Sequence, residues 1–151
     1  MAPRTIVVAV NNSEGGVYAV EWAFKDFVRP TDNVILVNVV DTYTHYIPNF
    51  GTTVTFDMAT NHVQKEVVEN AQTLLAYLAK QMSMRPGQIE TKVIAGDARD
   101  VMVELTEEQD IDVVILGTSN KTLLRRKLVG SVGSYLVEHC KCSVIIAKQK
   151  P

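Results

Sequence analysis

The chain has few cysteines, no long apolar run and almost no excess of charge. Its net charge of −2 at pH 7 gives no electrostatic reason to expect nucleic acid as a partner. The longest apolar runs, such as residues 6–10 and 113–116, are far too short to cross a bilayer. The first of them is a short β-like run and not the apolar stretch of a signal peptide. These absences favour a cytoplasmic protein that binds neither nucleic acid nor a membrane.

The two cysteines, Cys140 and Cys142, are separated by a single residue. A disulfide between such close neighbours is strained, and a reducing compartment argues against one. Structural zinc requires four ligands, and only His139 lies nearby, because His45 and His62 are distant in sequence. We therefore expect ordinary, buried or half-buried thiols and no metal site.

Five short runs rich in β-branched residues predict the strands of the fold. They span residues 5–10, 33–40, 89–94, 112–116 and 143–148, and several are nearly continuous in Val and Ile. Continuous apolar runs are typical of parallel strands that are covered on both faces. With 46% hydrophobic and 21% charged residues, the chain also has the composition of a globule with a real core.

Segments with helical periodicity lie between these runs. One covers about residues 14–28 with Ser13 as its N-cap, a longer one ends before Arg85, a third follows Asp97, which caps it, and a fourth covers about 131–140. The residues predicted to face inward are Val17, Val20, Phe24, Phe27, Val28, Val63, Val67, Leu74, Leu78, Met82, Val101, Met102, Leu105, Val132, Leu136 and Val137. The alternation predicts a doubly wound, Rossmann-like α/β domain over residues 1–151, with a five-stranded parallel sheet.

In such sheets, ligands bind beyond the carboxyl ends of the strands, where the strand order reverses. Residues 10–16, residues 39–41 and the segment that starts at Gly117 should meet there. The last segment ends with Gly130 and Ser131, which open a helix. Backbone amides at a helix N-terminus, with glycine and serine around them, suit a bound phosphate. Serine is also a common helix cap, and neither a Walker nor a dinucleotide pattern is present.

Charged residues near these segments leave alternatives open. Lys121, Arg125, Arg126 and Lys127 either reach terminal phosphates or form a solvated loop face. Asp41 either supports Mg²⁺ through water or simply begins the long irregular stretch at residues 41–57. That stretch is either functional or a surface connection.

The order of these features resembles the universal stress protein family. Gly117, two residues, Asn120, nine residues and then Gly130-Ser131 is similar to the family motif Gly-x2-Gly-x9-Gly-Ser/Thr. Residues 6–14, 96–98, 111–117 and 139–146 are similarly placed, so the resemblance covers essentially the whole chain. The family contains members that bind ATP or AMP and members that do not, and the long motif marks the binders.

The resemblance implies a set of nucleotide-binding residues and an ATP or AMP ligand, with Mg²⁺ as an optional companion. Residues 9–11 would border base and ribose, Val39 would offer backbone groups to adenine, and the two ends of the motif would hold ribose and phosphates. The complete set is Ala9, Val10, Asn11, Ser13, Val39, Gly117, Thr118, Asn120, Gly130, Ser131 and Val132. It holds no catalytic residue, since no candidate general base lies beside the phosphate loop. The implied role is regulatory, in stress response, with at most slow ATP hydrolysis.

Two departures from the family pattern favour an alternative function. Asn11 stands where binders have Asp, so a charge-assisted hydrogen bond to the ribose is lost. Asn120 replaces the second glycine of the motif; it tolerates left-handed backbone angles but crowds the phosphates. The alternative is a nucleotide-independent stress protein that acts as a chaperone-like or interaction module. A third hypothesis is an enzyme that uses the same crevice for another ligand.

The last predicted strand, residues 143–148, is apolar and lies at one edge of the expected sheet order 3-2-1-4-5. The resemblance implies dimerisation through this strand. We therefore expect a homodimer with Val144 and Ile146 near its interface.

Overall fold

Strands and helices alternate along the computed structural model, which describes residues 2–11, 14–40, 59–83, 88–118 and 130–150, with side chains from residue 65 onward in the third range. The strands are β1 (Thr5–Ala9), β2 (Asn33–Val40), β3 (Gln88–Ala95), β4 (Val113–Gly117) and β5 (Ser143–Ala147). The helices are α1 (Glu14–Trp22), which continues into one π-helical turn (Ala23–Phe27), α2 (Ala59–Met82), α3 (Ala98–Glu108) and α4 (Ser131–His139).

The five strands form one parallel sheet in the order β3-β2-β1-β4-β5. The predicted α/β fold class and sheet order are therefore confirmed. β1 is central, and its last residue, Ala9, lies opposite Val37 of β2 and Leu116 of β4. The chain leaves β1 toward β2 and β3 and then returns to β4, so the strand order reverses between β1 and β4. Ligands of doubly wound sheets bind at the carboxyl end of such a reversal.

Two apolar layers cover the sheet and explain the continuous Val and Ile runs. Ile6 and Val8 face one layer, built with α1 and α2, whereas Val7 between them faces the other, built with α3 and α4. Because side chains alternate between the faces of a strand, a strand with helices on both sides is apolar at every position.

The helical register differs from the prediction at two valines. Val67 is 37% exposed and Val137 is 60% exposed, although both were predicted to face inward. In α2 the covered positions follow steps of three and four through Val68, Ala71, Leu75, Leu78 and Met82. Val67 therefore lies one residue outside this stripe. In α4, Leu136 is fully buried, and Val137 lies about 100° further around the helix.

The start of α3 agrees with its predicted cap. Asp97 is the N-cap, and its carboxylate accepts hydrogen bonds from the backbone amides of Arg99 at 2.9 Å and Asp100 at 3.4 Å. The preceding residue, Gly96, has a φ of 147°, which side-chain-bearing residues rarely adopt. The Gly96 amide donates to the carbonyl of Val40 at 2.9 Å. This turn fixes the end of β2 beside the end of β3.

A buried ion pair closes the amino end of the sheet. The carboxylate of Asp32, almost completely buried, accepts two hydrogen bonds from the guanidinium of Arg4, at 2.5 Å and 3.0 Å. It accepts a third from the Arg29 amide at 2.8 Å. The Arg4 hydrogen bond holds the pKa of Asp32 below its ordinary value, against the opposing effect of burial. The guanidinium also lies over the ring of Phe27, so the pair joins the amino ends of β1 and β2 to the end of the first helix.

Replacing Asp32 with asparagine should destabilise the protein by about 2–3 kcal/mol at pH 7, because the half-buried Arg4 loses its charged partner. The depressed pKa of Asp32 means that its stabilisation is complete above the unfolded-state pKa of about 4 and is lost as the pH falls through the folded-state pKa. The difference in the free energy of unfolding between wild type and Asp32→Asn, measured in urea, should therefore shrink as the pH is lowered from 5. Glu90→Gln, which breaks a pair between the exposed Glu90 and the half-buried Lys92, is the control and should change stability by under about 1 kcal/mol. Equal stability of Asp32→Asn and wild type at pH 7 would contradict this account.

Candidate functional site

The carboxyl end of β1 forms the floor of the candidate site. Val10, the first residue after β1, is buried, and its amide donates to the carbonyl of Val37 at 2.7 Å. Ala9 is half-buried and Asn11 is exposed. Because β4 lies on the other side of β1, residues 9–11 emerge at the reversal of strand order, as the sequence predicted.

The peptide groups of Val39 are directed toward this floor. In a parallel strand, alternate residues direct their N–H and C=O groups to the same neighbour. The Val37 carbonyl bonds toward β1, and the Val40 carbonyl bonds toward β3 by accepting from Gly96. Val39 therefore directs its peptide groups to the β1 side, two residues beyond the position paired with Ala9. The backbone of Val39 borders the space above the end of β1.

A glycine contact joins the start of α1 to the end of β4. A Cβ atom added to Gly15 would overlap the carbonyl oxygen of Thr118, and one added to Gly117 would overlap the carbonyl of Gly15. The two backbones are therefore in direct contact with no room for side chains between them. This contact places the segment after β1 beside the segment after β4. It brings Gly117 and Thr118 to the same end of the sheet as residues 9–11.

The turn between β1 and α1 is equally tight around Asn11. A Cβ atom added to Gly16 would lie 2.6 Å from Oδ1 and 2.7 Å from the backbone oxygen of Asn11. The amide side chain of Asn11 therefore lies against the first turn of α1. Gly15 and Gly16 were not among the predicted site residues, although two glycines in the first turn of a helix are an available signal, since glycine disfavours helix.

The start of α4 leaves room around its N-cap. Gly130 is the N-cap, with φ −65° and ψ 170°, and no heavy atom of the described residues lies within 4 Å of a Cβ atom added there. Ser131 is the first helical residue and is exposed, so it is not the cap. Val132 is half-buried against the apolar layer of α3 and α4. Because the N-cap residue is glycine, it has no side chain that could cap the first-turn amides of α4.

Several predicted residues lie outside the described part of the chain. They are Ser13, Asn120, Asp41, His45, the basic residues Lys121, Arg125, Arg126 and Lys127, and, for its side chain, His62. Their roles stay predictions. Two groups of predicted residues are described. Ala9, Val10, Asn11, Val39, Gly117 and Thr118 lie together at the carboxyl end of the sheet, and Gly130, Ser131 and Val132 lie at the start of α4.

The described residues contain neither a candidate membrane span nor a candidate metal cluster. None of the helices described there is long and apolar enough to span a membrane. Within the same ranges, no group of three or more His, Cys, Asp or Glu side chains is arranged to hold a metal ion. Cys140 and Cys142 are free, half-buried thiols.

Comparison with known sequences gives one family. The sequence model of the universal stress protein family matches residues 3–148. Universal stress protein G of Salmonella typhimurium is 34% identical over 87 residues, which cover 58% of either chain. Universal stress protein PHOS32 of Arabidopsis thaliana is 27% identical over 158 residues, covering 97% of this chain and 65% of that protein. The matches thus span less than two thirds of the length of these two relatives.

Comparison with solved structures gives the same family. Universal stress protein UspA from Lactobacillus plantarum has a TM-score of 0.80 at 19% identity, covering 97% of this chain and 98% of that one. A universal stress protein family protein from Arabidopsis thaliana, solved with AMP bound, has a TM-score of 0.70 at 18% identity over 98% and 93%. The universal stress protein from Archaeoglobus fulgidus, in complex with dAMP, has a TM-score of 0.64 at 19% identity over 97% and 98%. These likenesses establish the fold, and together with the sequence match over residues 3–148 they show that the chain belongs to the universal stress protein family.

Proposed function

We propose that the protein binds an adenine nucleotide, ATP or AMP, at the carboxyl end of β1 and β4. The observation that carries the proposal is the start of α4, where none of the described residues crowds the glycine N-cap ahead of the first-turn amides. Such amides carry partial positive charge and bind phosphate well when no side chain blocks the approach. Two proteins of the same fold, solved with AMP and with dAMP, support this ligand class.

The base and ribose would occupy the space between β2 and the start of α1. The peptide groups of Val39 face that space and match the donor and acceptor at the Watson–Crick edge of adenine. Asn11 would bond a ribose hydroxyl through its amide, beside Ala9 and Val10. The ribose would then lie over Gly117 and Thr118. Gly117 is in backbone contact with Gly15 of α1, and neither glycine has a side chain that would obstruct the ligand. Ser13 and Asn120 complete the proposed set.

The role that fits this site is a regulatory one, in a stress response, with little or no catalysis. The site residues offer amides, hydroxyls and peptide groups, which hold a ligand but do not activate a nucleophile. Mg²⁺ would accompany ATP through water near Asp41, whereas AMP would need no metal. We place this function in a single universal stress protein domain over residues 1–151, in the cytoplasm.

A homodimer through β5 is part of the proposal. β5 is an edge strand of the described sheet, and an apolar edge strand favours pairing with another chain. Val144 and Ile146 are only half-buried against their own α3 and α4 layer, so part of their apolar surface remains for a partner.

Isothermal titration with ATP, ADP, AMP and adenosine tests the ligand. We expect heat for the adenine nucleotides and weaker binding of adenosine, which has no phosphate for the amides of α4. GMP is the control for base recognition, because guanine reverses the donor and acceptor that face Val39. Absence of heat with every adenine nucleotide at high micromolar protein would refute the proposal.

One observation favours the alternative, a nucleotide-independent chaperone-like or interaction module. The side chain of Asn11 lies against the first turn of α1, which lowers its availability to a ribose. An Asn11→Asp variant separates the two functions. If the protein is a weakened nucleotide binder, the carboxylate should raise AMP affinity several-fold through a charge-assisted hydrogen bond. If nucleotide plays no part, neither protein will bind AMP.

A further inference from the structure

The two cysteines lie at the amino end of the sheet, whereas the candidate nucleotide site lies at its carboxyl end. Cys140 is the C-cap of α4, and its amide donates to the carbonyl of Leu136 at 2.9 Å. Cys142 immediately precedes β5, whose first residue, Ser143, pairs with Val113 of β4. The helix end and the strand start therefore hold the two residues in place, with only Lys141 between them.

Both thiols are directed to the same side of the sheet. Cys140 and Cys142 each pack, half-buried, against the apolar layer formed with α3 and α4, whereas the side chain of Lys141 between them is exposed. This is the alternation of an extended segment, in which residues two apart share a face. Burial raises the pKa of Cys142, and the nearby Cys140 thiol raises it further. The structure thus presents two sulfur atoms next to each other on one face of the sheet.

The surroundings of the thiols favour a cation. Cys142 lines an open cavity of about 500 Å³ that also carries Glu107, Glu108 and Asp110. Among the described residues that line the cavity, Lys141 is the one cation, and its ammonium lies 3.9 Å from Glu107. The rim is therefore net negative, so it attracts metal cations and repels anionic thiol reagents. The Thr106 hydroxyl donates to the Val103 carbonyl at 2.7 Å and lies 3.7 Å from the Cys140 sulfur, so it can turn to donate to a thiolate once one forms.

We propose that Cys140 and Cys142 form a two-sulfur site for a soft monovalent cation of the Cu(I) class. Thiolates select Cu(I), which is satisfied by two sulfur ligands, whereas structural zinc needs four ligands. The described residues supply no group of three or more His, Cys, Asp or Glu ligands. On binding, each thiol gives its proton to solvent and each sulfur forms one bond to the metal. No electron transfer occurs, and two protons leave for each metal ion bound.

Titration of the reduced, full-length protein with Cu(I) under anaerobic conditions tests the site, with a chromophoric Cu(I) chelator as competitor. We expect one Cu(I) per chain, a sulfur-to-metal absorption band in the near ultraviolet, and protection of both thiols from alkylation by one equivalent of metal. Cys140→Ser and Cys142→Ser should each lower the affinity at least 100-fold. Ser143→Ala, which alters an exposed neighbour and leaves both thiols, is the matched control and should bind as wild type does.

Thr106→Val provides a second test that does not touch the thiols. It keeps the shape of the side chain but removes the hydroxyl beside Cys140, so Cu(I) affinity should fall several-fold while the stoichiometry stays at one. Two results would overturn the proposal: Cu(I) binding that is unchanged in both serine variants, or one metal ion shared between two chains. Circular dichroism of the serine variants verifies that they fold. The affinity of the same variants for AMP should be unchanged, since the two sites lie at opposite ends of the sheet.

Discussion

Replacing Gly117 with alanine should destabilise the protein by about 3 kcal/mol, at the upper end of the range for overpacking. The added methyl group would overlap the carbonyl of Gly15, and both partners are backbone, so neither can rotate away as a side chain would. The start of α1 must then move from the end of β4. Urea unfolding at pH 7 measures the loss, which should appear as a lower midpoint with an unchanged slope.

Gly130→Ala is the matched control for Gly117→Ala. The same methyl group at Gly130 meets no heavy atom of the described residues within 4 Å, so stability should change by less than about 1 kcal/mol. Gly117 is a better test position than Gly15, because alanine in the first turn of α1 gains helix propensity of up to about 1 kcal/mol that would mask part of the clash. A Gly117→Ala variant as stable as the control would show that α1 and β4 are not in backbone contact.

The strands of this fold were more predictable from the sequence than the buried faces of its helices. A strand that is covered on both faces is apolar at every position. A run of Val and Ile therefore identifies it without a choice of which residues face inward. A helix buries a stripe, and adjacent apolar pairs such as Val67-Val68 and Leu136-Val137 leave two registers open. In both pairs the structure covers the residue that the steps of three and four connect to its neighbours, Val68 in part and Leu136 fully, and it exposes the other.

Contacts between distant residues were beyond prediction from periodicity. Arg4 and Asp32 are 28 residues apart, and neither lies in a pattern that indicates an ion pair. Likewise, the contact between Gly15 and Gly117 depends on the packing of α1 against β4, which local sequence does not encode. The location of the candidate site was predictable, because the strand order determines where parallel strands end together. The roles of Asn11 and Val39 came from the family resemblance alone.

Gly130→Asp should abolish nucleotide binding while leaving the fold intact. Aspartate is a preferred N-cap, and its carboxylate can accept from the first-turn amides of α4, so helix stability should be equal or slightly higher. The same carboxylate would occupy the amides proposed for phosphate. At 4 Å from a phosphate charge its repulsion is about 4 kcal/mol near a protein surface, which corresponds to roughly 1,000-fold in affinity. We expect a loss of at least about 100-fold for AMP and ATP after solvent screening.

The choice of ligand and control makes the Gly130 experiment specific for the phosphate. Adenosine carries no charge, so its affinity should change only slightly in Gly130→Asp if the base and ribose lie near Val39 and Asn11. Gly130→Asn has nearly the same shape and caps the helix without a charge, so it should weaken AMP binding less than aspartate does. Raising the salt concentration should narrow the difference between the two variants, because screening weakens repulsion and leaves steric effects unchanged. If Gly130→Asp binds AMP as tightly as wild type, the phosphate does not lie at the start of α4, and another part of the edge formed by β1 and β4 must hold it.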